Sequence, residues 1–170
     1  VAHARRLRSL RRAAPVVSDG VHVCDRLNYV LGASPVAVSG WSLRSEPGFA
    51  SPNVNGGLLT YADGSIARVE VIWLYPALPP SQFVVTGPLG CATLDPPTFG
   101  LDVRFADGRH ERLEPRGGKT EVGFALQLRS FLDHVLDGTP PVPGLAEALA
   151  SLELAERIAQ ASGSVPGEAG

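Results

Sequence analysis

The sequence of 170 residues has no methionine, one lysine (Lys119) and two cysteines, Cys24 and Cys91. The cysteines lie far apart and neither belongs to a C-x-x-C pair, so the pattern predicts no zinc site and no disulfide, and we expect both thiols to be buried. No apolar run approaches the roughly 20 residues of a membrane-spanning helix, and no cleavable leader opens the chain. These absences favour a cytoplasmic protein without a metal site or a membrane partner. Because Val1 stands where methionine would begin a gene product, we expect a fragment or a processed chain.

Charge is scarce as well, since 19% of the residues are charged and the formal net charge is -2. This balance gives no general attraction to nucleic acid or to an anionic membrane surface. A basic cluster within residues 5–12 lacks interleaved aromatic residues, and we interpret it as a solvated segment. The composition is that of a folded globular domain, and a small neutral ligand is the more suitable partner.

Helical periodicity opens and closes the chain. Ser18 and Asp19 are good N-cap types, and an apolar stripe predicts a helix from this point to Gly32. Two later stripes, within Phe124–Val135 and Leu145–Ala159, predict two further helices.

Between these helices the apolar period changes to two, which indicates half-buried strands. Asp63-Gly64 and Asp107-Gly108 each separate two such runs, and Asp-Gly supplies the positive φ of a tight hairpin, so we expect antiparallel pairing. The proline-rich Tyr75–Pro80 stretch predicts a strand exit. The predicted strands are Val36–Leu43, Gly57–Tyr61, Ala67–Tyr75, Gln82–Gly87, Cys91–Asp95, Leu101–Phe105 and His110–Glu114.

The order helix, antiparallel sheet, two helices is typical of an α+β fold, here an open, mostly antiparallel sheet with helices on one face. The other face needs a cover, and we expect it to pack against another subunit in a homodimer or homotetramer. Residues 1–17 have no assignment, and we expect residues 18–165 to form one domain.

The most informative polar stretch opens the first helix. On a helix His22 lies beside Asp25 and Arg26, with Tyr29 two turns along. An imidazole in this position can take a proton from a hydroxyl at neutral pH, and a neighbouring carboxylate can orient it. The alternative is a histidine that only makes local hydrogen bonds.

Five stretches together resemble the C-terminal domain of the Gfo/Idh/MocA family, which includes glucose-fructose oxidoreductase and inositol dehydrogenase. They follow one another in the family's order: 18–32, 58–64, 84–95, 131–138 and 148–162. The family carries D-x-G-x-H-x-x-D at the start of this helix. Gly20, His22 and Asp25 match that motif, whereas Ser18 stands at its first aspartate and Asp19 follows it.

The resemblance implies hydride transfer between NAD or NADP and a hydroxyl carbon of a sugar or polyol. His22 would be the acid/base residue, supported by Asp19 or Ser18. The candidate substrate contacts are Asp25, Tyr29, Asn53 and Trp73. Asn55 is a weaker candidate of the same kind. Independently of the resemblance, Trp41, Trp73 and Tyr75 could stack on a sugar, although aromatic residues at strand spacing more often belong to a core or an interface.

The family's cofactor is held by an N-terminal dinucleotide-binding domain with a G-x-G-x-x-G turn and a Glu-Lys-Pro segment, and this sequence contains neither. Gly87-Pro88-Leu89-Gly90 lacks the glycine spacing needed to cradle a pyrophosphate. We therefore expect no cofactor site within these residues, and no activity from them alone. The alternative function is a non-catalytic dimerisation or carbohydrate-binding module.

Overall fold

The computed structural model describes residues 14–45, 51–73, 81–95, 98–114 and 119–163. The basic cluster within residues 5–12 and the predicted strand exit at Tyr75–Pro80 lie outside the described residues. In the described part, none of the helices has both the length and the apolar content to cross a membrane.

The described residues form four helices and seven strands, which confirms the α+β class. The helices are α1 (Pro15–Ser18), α2 (Val21–Leu31), α3 (Lys119–Asp137) and α4 (Leu145–Ala161). The strands are β1 (Ala37–Leu43), β2 (Val54–Thr60), β3 (Ile66–Ile72), β4 (Phe83–Gly87), β5 (Gly90–Asp95), β6 (Gly100–Phe105) and β7 (His110–Leu113). Both sheets are open and antiparallel, as expected, but the strands divide between two sheets rather than joining one.

The chain separates into two compact units. The first combines Val1–Pro76 with Pro143–Gly170, and the second is Ala77–Val142. The first unit therefore contains the sheet β1-β2-β3 with α1, α2 and α4, and the second contains the sheet β4-β5-β6-β7 with α3. Periodicity predicted the strands, yet it carries no information about which strand pairs with which at long range.

In the first unit the β2–β3 hairpin turns at the predicted Asp-Gly pair. Gly64 has φ +86°, and the Ser65 N–H donates to Asp63 Oδ1 at 2.9 Å. Strand β2 begins at Val54 rather than at Gly57, so Asn55 lies inside the strand and not in the preceding loop. Its side chain is fully buried, and Asn55 Oδ1 accepts the Val16 N–H at 3.4 Å, so this structure gives no support to the weaker expectation of a substrate contact at Asn55.

Two helices pack on one face of this sheet, α4 against β1 and β2 and α1 against β2 and β3, while α2 packs against α4. This arrangement confirms the expected one-sided cover for the first unit. The main buried side chains between these layers are Val16, Cys24, Leu27, Leu59, Val69, Leu154, Ala155 and Ile158.

Two sheet glycines let α4 lie close to the strands. A Cβ at Gly40 would stand 2.6 Å from the Ser162 nitrogen and 2.8 Å from the Ala161 carbonyl carbon. A Cβ at Gly57 would stand 3.0 Å from Ile158 Cγ2. The end of α4 thus contacts strand backbone directly, at a distance that no larger residue permits.

The opposite face of this sheet exposes apolar side chains. Trp41 is 42% exposed and lies across from Gly56 in the β1–β2 register, with its indole ring against the space where a Cβ would be. Leu43, Leu58 and Ile66 are exposed as well. This is the face for which we expect a subunit contact, and that contact stays a prediction.

In the second unit the β6–β7 hairpin has the predicted turn, with φ +89° at Gly108. The apolar stripe predicted for the helix within Phe124–Val135 lies on α3, but Phe124 is 65% exposed and Phe131 is 59% exposed. An amphipathic pattern identifies an apolar face of a helix without identifying what covers it.

We predict that Gly40→Ala destabilises the first unit by about 1–3 kcal/mol, because the new methyl group meets α4 backbone that cannot rotate away. Urea unfolding followed by circular dichroism measures the change. Gly87→Ala is the matched control, since nothing lies within 4 Å of a Cβ at that strand position. Equal stability of the two variants would contradict the packing assigned to Gly40.

Candidate functional site

The candidate catalytic residues lie on the short turn that joins α1 to α2. The Asp19 N–H donates to the Pro15 carbonyl at 2.9 Å and the His22 N–H donates to the Asp19 carbonyl at 3.3 Å. The side chains of Ser18, Asp19 and His22 are all exposed. The structure therefore brings the three predicted catalytic residues together on one accessible turn.

Ser18 and Asp19 do not cap the helix as the sequence suggested. Residues Pro15–Ser18 form a helical turn of their own, and Gly20 occupies the N-cap position of α2 without a side-chain cap. Proline is favoured in the first turn of a helix, which explains why α1 can begin at Pro15.

Gly20 is required at this turn for reasons of space. A Cβ there would lie 2.6 Å from the Val16 carbonyl oxygen and 2.9 Å from Val71 Cγ2. Its φ of -69° is open to any residue, so the constraint comes from contact and not from backbone conformation. The glycine lets the turn lie directly on β3.

The Asp19 carboxylate has a specific partner at the end of β3. The indole Nε1–H of Trp73 donates a hydrogen bond to Asp19 Oδ2. Trp73 is only 7% exposed, so its ring is largely unavailable for stacking on a sugar. The sequence singled out both residues but did not pair them.

Asn53 is fully buried and clamps the backbone of Trp73. Its carbonyl accepts the Trp73 N–H at 2.9 Å, and its side-chain Nδ2 donates to the Trp73 carbonyl at 3.0 Å. Asn53 Oδ1 accepts the Ser45 N–H at 2.8 Å. A substrate cannot contact a side chain that has no exposed surface, so we do not propose Asn53 as a substrate contact.

The remaining candidates lie further along α2. Asp25 Oδ1 is 3.2 Å from the Ser151 hydroxyl of α4, and Asn28 Nδ2 donates to the same hydroxyl oxygen at 3.4 Å. Tyr29 is 87% exposed, two helical turns from His22 on the same side of α2. Asp25 thus contributes to the contact between two helices, while Tyr29 stands free at the surface.

Ser151, whose hydroxyl joins Asp25 and Asn28, is not among the residues that the sequence singled out. It is buried in α4 on the same side as Leu154, Ala155 and Ile158, whereas Leu145, Leu149 and Leu152 of the predicted apolar stripe are exposed. A polar residue on the buried side of a helix needs a hydrogen-bond partner, which is the signal that could have identified it.

Cys24 follows His22 on α2 but faces the core. Burial raises the pKa of its thiol to about 12, so the thiol stays protonated and unreactive near neutral pH. Cys91 is half-buried, which corrects the expectation that both thiols are buried. Among the described residues no group of three or more His, Cys, Asp or Glu side chains could hold a metal ion.

The Gly87–Gly90 stretch gives a cofactor no phosphate cradle. Gly87 and Gly90 pair across the β4–β5 hairpin, so the turn leads from strand to strand and not from strand to helix. It therefore lacks the helix N-terminus that binds a pyrophosphate. The Gly87–Gly90 hairpin therefore does not fit the pyrophosphate of a nicotinamide dinucleotide.

Comparison with known families and with curated proteins finds no match for this sequence. Solved structures do match its fold. UDP-N-acetylglucosamine 3-dehydrogenase from Acidithiobacillus ferrooxidans superposes with a TM-score of 0.74 at 17% identity, over 89% of this chain and 48% of that chain. The chain thus spans about half the length of this solved structure.

Two further structures have the same relationship to this chain. Levoglucosan dehydrogenase, in complex with NADH and levoglucosan, matches with a TM-score of 0.73 at 16% identity, over 86% of this chain and 47% of that chain. Biliverdin reductase from Synechocystis, in complex with biliverdin and NADP+, matches with a TM-score of 0.70 at 18% identity, over 89% and 47%. At these identities the likeness establishes the fold, and it supports the motif-based resemblance at that level.

We predict that native protein at pH 8 reacts with one equivalent of Ellman's reagent, at Cys91, and with two equivalents in urea. The Cys24 thiol ionises near pH 12 in the folded state and near 9.0 when unfolded, so only unfolding makes it reactive at pH 8. Absorbance of the released thiolate measures the count, and Cys91→Ser is the control. Fast reaction of both thiols in the native protein would contradict the buried position of Cys24.

Proposed function

We propose that this chain is the substrate-binding and oligomerisation half, residues 18–165, of an NAD(P)-dependent oxidoreductase that oxidises a hydroxyl carbon of a sugar or polyol. The observation that carries the proposal is that His22 and Asp19 are exposed on the turn between α1 and α2. The fold on which they lie matches about half the length of solved oxidoreductases.

The chemistry proposed for this chain is proton transfer. Among the described residues, none hydrogen-bonds to the His22 imidazole, so the ring is free to approach a substrate hydroxyl. As the carbon gives up hydride and its C–O bond becomes a carbonyl, the hydroxyl proton passes to His22. A bound nicotinamide supplies the acceptor for the hydride, and we propose that a dinucleotide-binding domain outside these residues holds it.

Asp19 takes the place of the motif's first aspartate in this proposal. It follows Ser18, which stands at the matching position, and its carboxylate is exposed and anchored by Trp73. In the complex with substrate, the Asp19 carboxylate, three positions before His22, would stabilise the imidazolium that forms when the proton arrives.

The substrate class rests on similarity of fold to enzymes of known substrate. Two of the similar structures are named as dehydrogenases of UDP-N-acetylglucosamine and of levoglucosan, while a third is a biliverdin reductase. One fold can host different chemistry, and the exposed polar turn supports the proposal of a hydroxyl-bearing substrate. We also propose that two copies associate through the exposed apolar face around Trp41.

A non-catalytic dimerisation or carbohydrate-binding module is the second candidate. Ser18 favours it, because a serine in place of the motif's aspartate removes one carboxylate from the proton-transfer arrangement.

We predict that His22→Ala lowers kcat of the full-length parent by about 10²-fold or more, because removing a general base costs this much in typical enzymes. Reduction of NAD and NADP is followed by absorbance across a panel of sugars and polyols. His110→Ala is the matched control, since that exposed histidine pairs with Asp102 in the second unit. Unchanged kcat for His22→Ala would refute the role of His22, while binding without turnover by the parent would favour the module.

A further inference from the structure

We propose that Trp73 is a positioning residue that holds the Asp19 carboxylate in one orientation for the reacting hydroxyl. For its catalytic part this inference rests on the proposed function. In this role Trp73 acts through a hydrogen bond from its indole N–H to Asp19 Oδ2 and not as the substrate contact that the sequence analysis considered.

The indole can orient the carboxylate because it is itself held in place. Its ring is buried, and Asn53 binds both backbone polar groups of Trp73, at 2.9 Å and 3.0 Å. Asn53 is fully buried and is bound in turn by the backbone N–H of Ser45. A donor without rotational freedom presents its N–H in a fixed direction, which is what supporting residues of an active site provide.

The other carboxylate oxygen remains available. No described residue donates a hydrogen bond to Asp19 Oδ1, and the Asp19 side chain is exposed on the turn that precedes His22. An ionised carboxylate only accepts hydrogen bonds, so Oδ1 is suited to receive a hydroxyl of a sugar or polyol. Trp73 would therefore select the oxygen that meets the substrate, without touching the substrate.

The hydrogen bond between Trp73 and Asp19 can be tested on this chain, because the measurement does not depend on catalytic activity. A nitrogen-15 spectrum contains two indole N–H resonances, because the chain has two tryptophans, and Trp73→Phe identifies which belongs to Trp73. We expect the Trp73 proton resonance to move upfield in Asp19→Ala and to move less in Asp19→Asn, whose amide oxygen still accepts. The Trp41 resonance is the internal reference and stays in place.

The positioning role is tested on the full-length parent. We expect Trp73→Phe to lower kcat by about 10- to 100-fold with little change in KM, because a misplaced catalytic group loses this much rate. Asp19→Ala should have a similar effect, and the double variant should lose no more than the larger single variant. Tyr61→Phe is the matched control, because it removes a buried aromatic hydroxyl that has no hydrogen-bond partner among the described residues.

Three results would overturn the inference: an unmoved Trp73 resonance in Asp19→Ala, normal kcat in Trp73→Phe, or additive losses in the double variant. Because Asp19 is exposed, Asp19→Ala keeps the test valid even where Trp73→Phe fails to fold. An unsubstituted parent that turns over no substrate would instead refute the proposed function and the catalytic part of this inference. The Trp73 resonance would still decide whether the indole holds Asp19.

Discussion

Close backbone contact at glycines is the constraint on which the first unit depends. Gly40 and Gly57 bring α4 onto β1 and β2, and Gly20 brings the α1–α2 turn onto β3. A side chain at Gly20 would lift the turn away from β3, and with it the Asp19 carboxylate that Trp73 reaches from the end of that strand. Core packing and the geometry of the candidate site therefore share one cause.

Hydrogen bonds between buried polar groups fix the orientation of side chains that apolar packing alone would leave free to rotate. A buried amide is stable only when its donors and acceptors are paired, and Asn53 meets this condition through Ser45 and Trp73. The Asp19 carboxylate on the exposed turn then receives a hydrogen bond from Trp73, a residue that is held in the interior. Polar residues that contact no substrate can in this way determine how an exposed carboxylate is presented.

Local patterns predicted local structure well, and contacts between distant residues poorly. The Asp-Gly turns and the α+β class followed from backbone chemistry and periodicity, and both were confirmed. The division into two sheets and the burial of Asn53 depend on partners that no local pattern identifies. The motif placed Ser18, Asp19 and His22 on one turn, but the hydrogen bond between Asp19 and Trp73 joins residues more than fifty positions apart.

The division of the first unit between two chain segments has a consequence for synthesis. Its sheet is complete once residue 72 is made, but α4, which covers β1 and β2, is added only with residues 145–161. On the ribosome the part of the inner face that α4 covers, on β1 and β2, would stay uncovered while the whole second unit emerges. The nascent chain thus exposes an apolar surface for several seconds at a bacterial pace of roughly 5–20 residues per second, a period in which a chaperone could bind it.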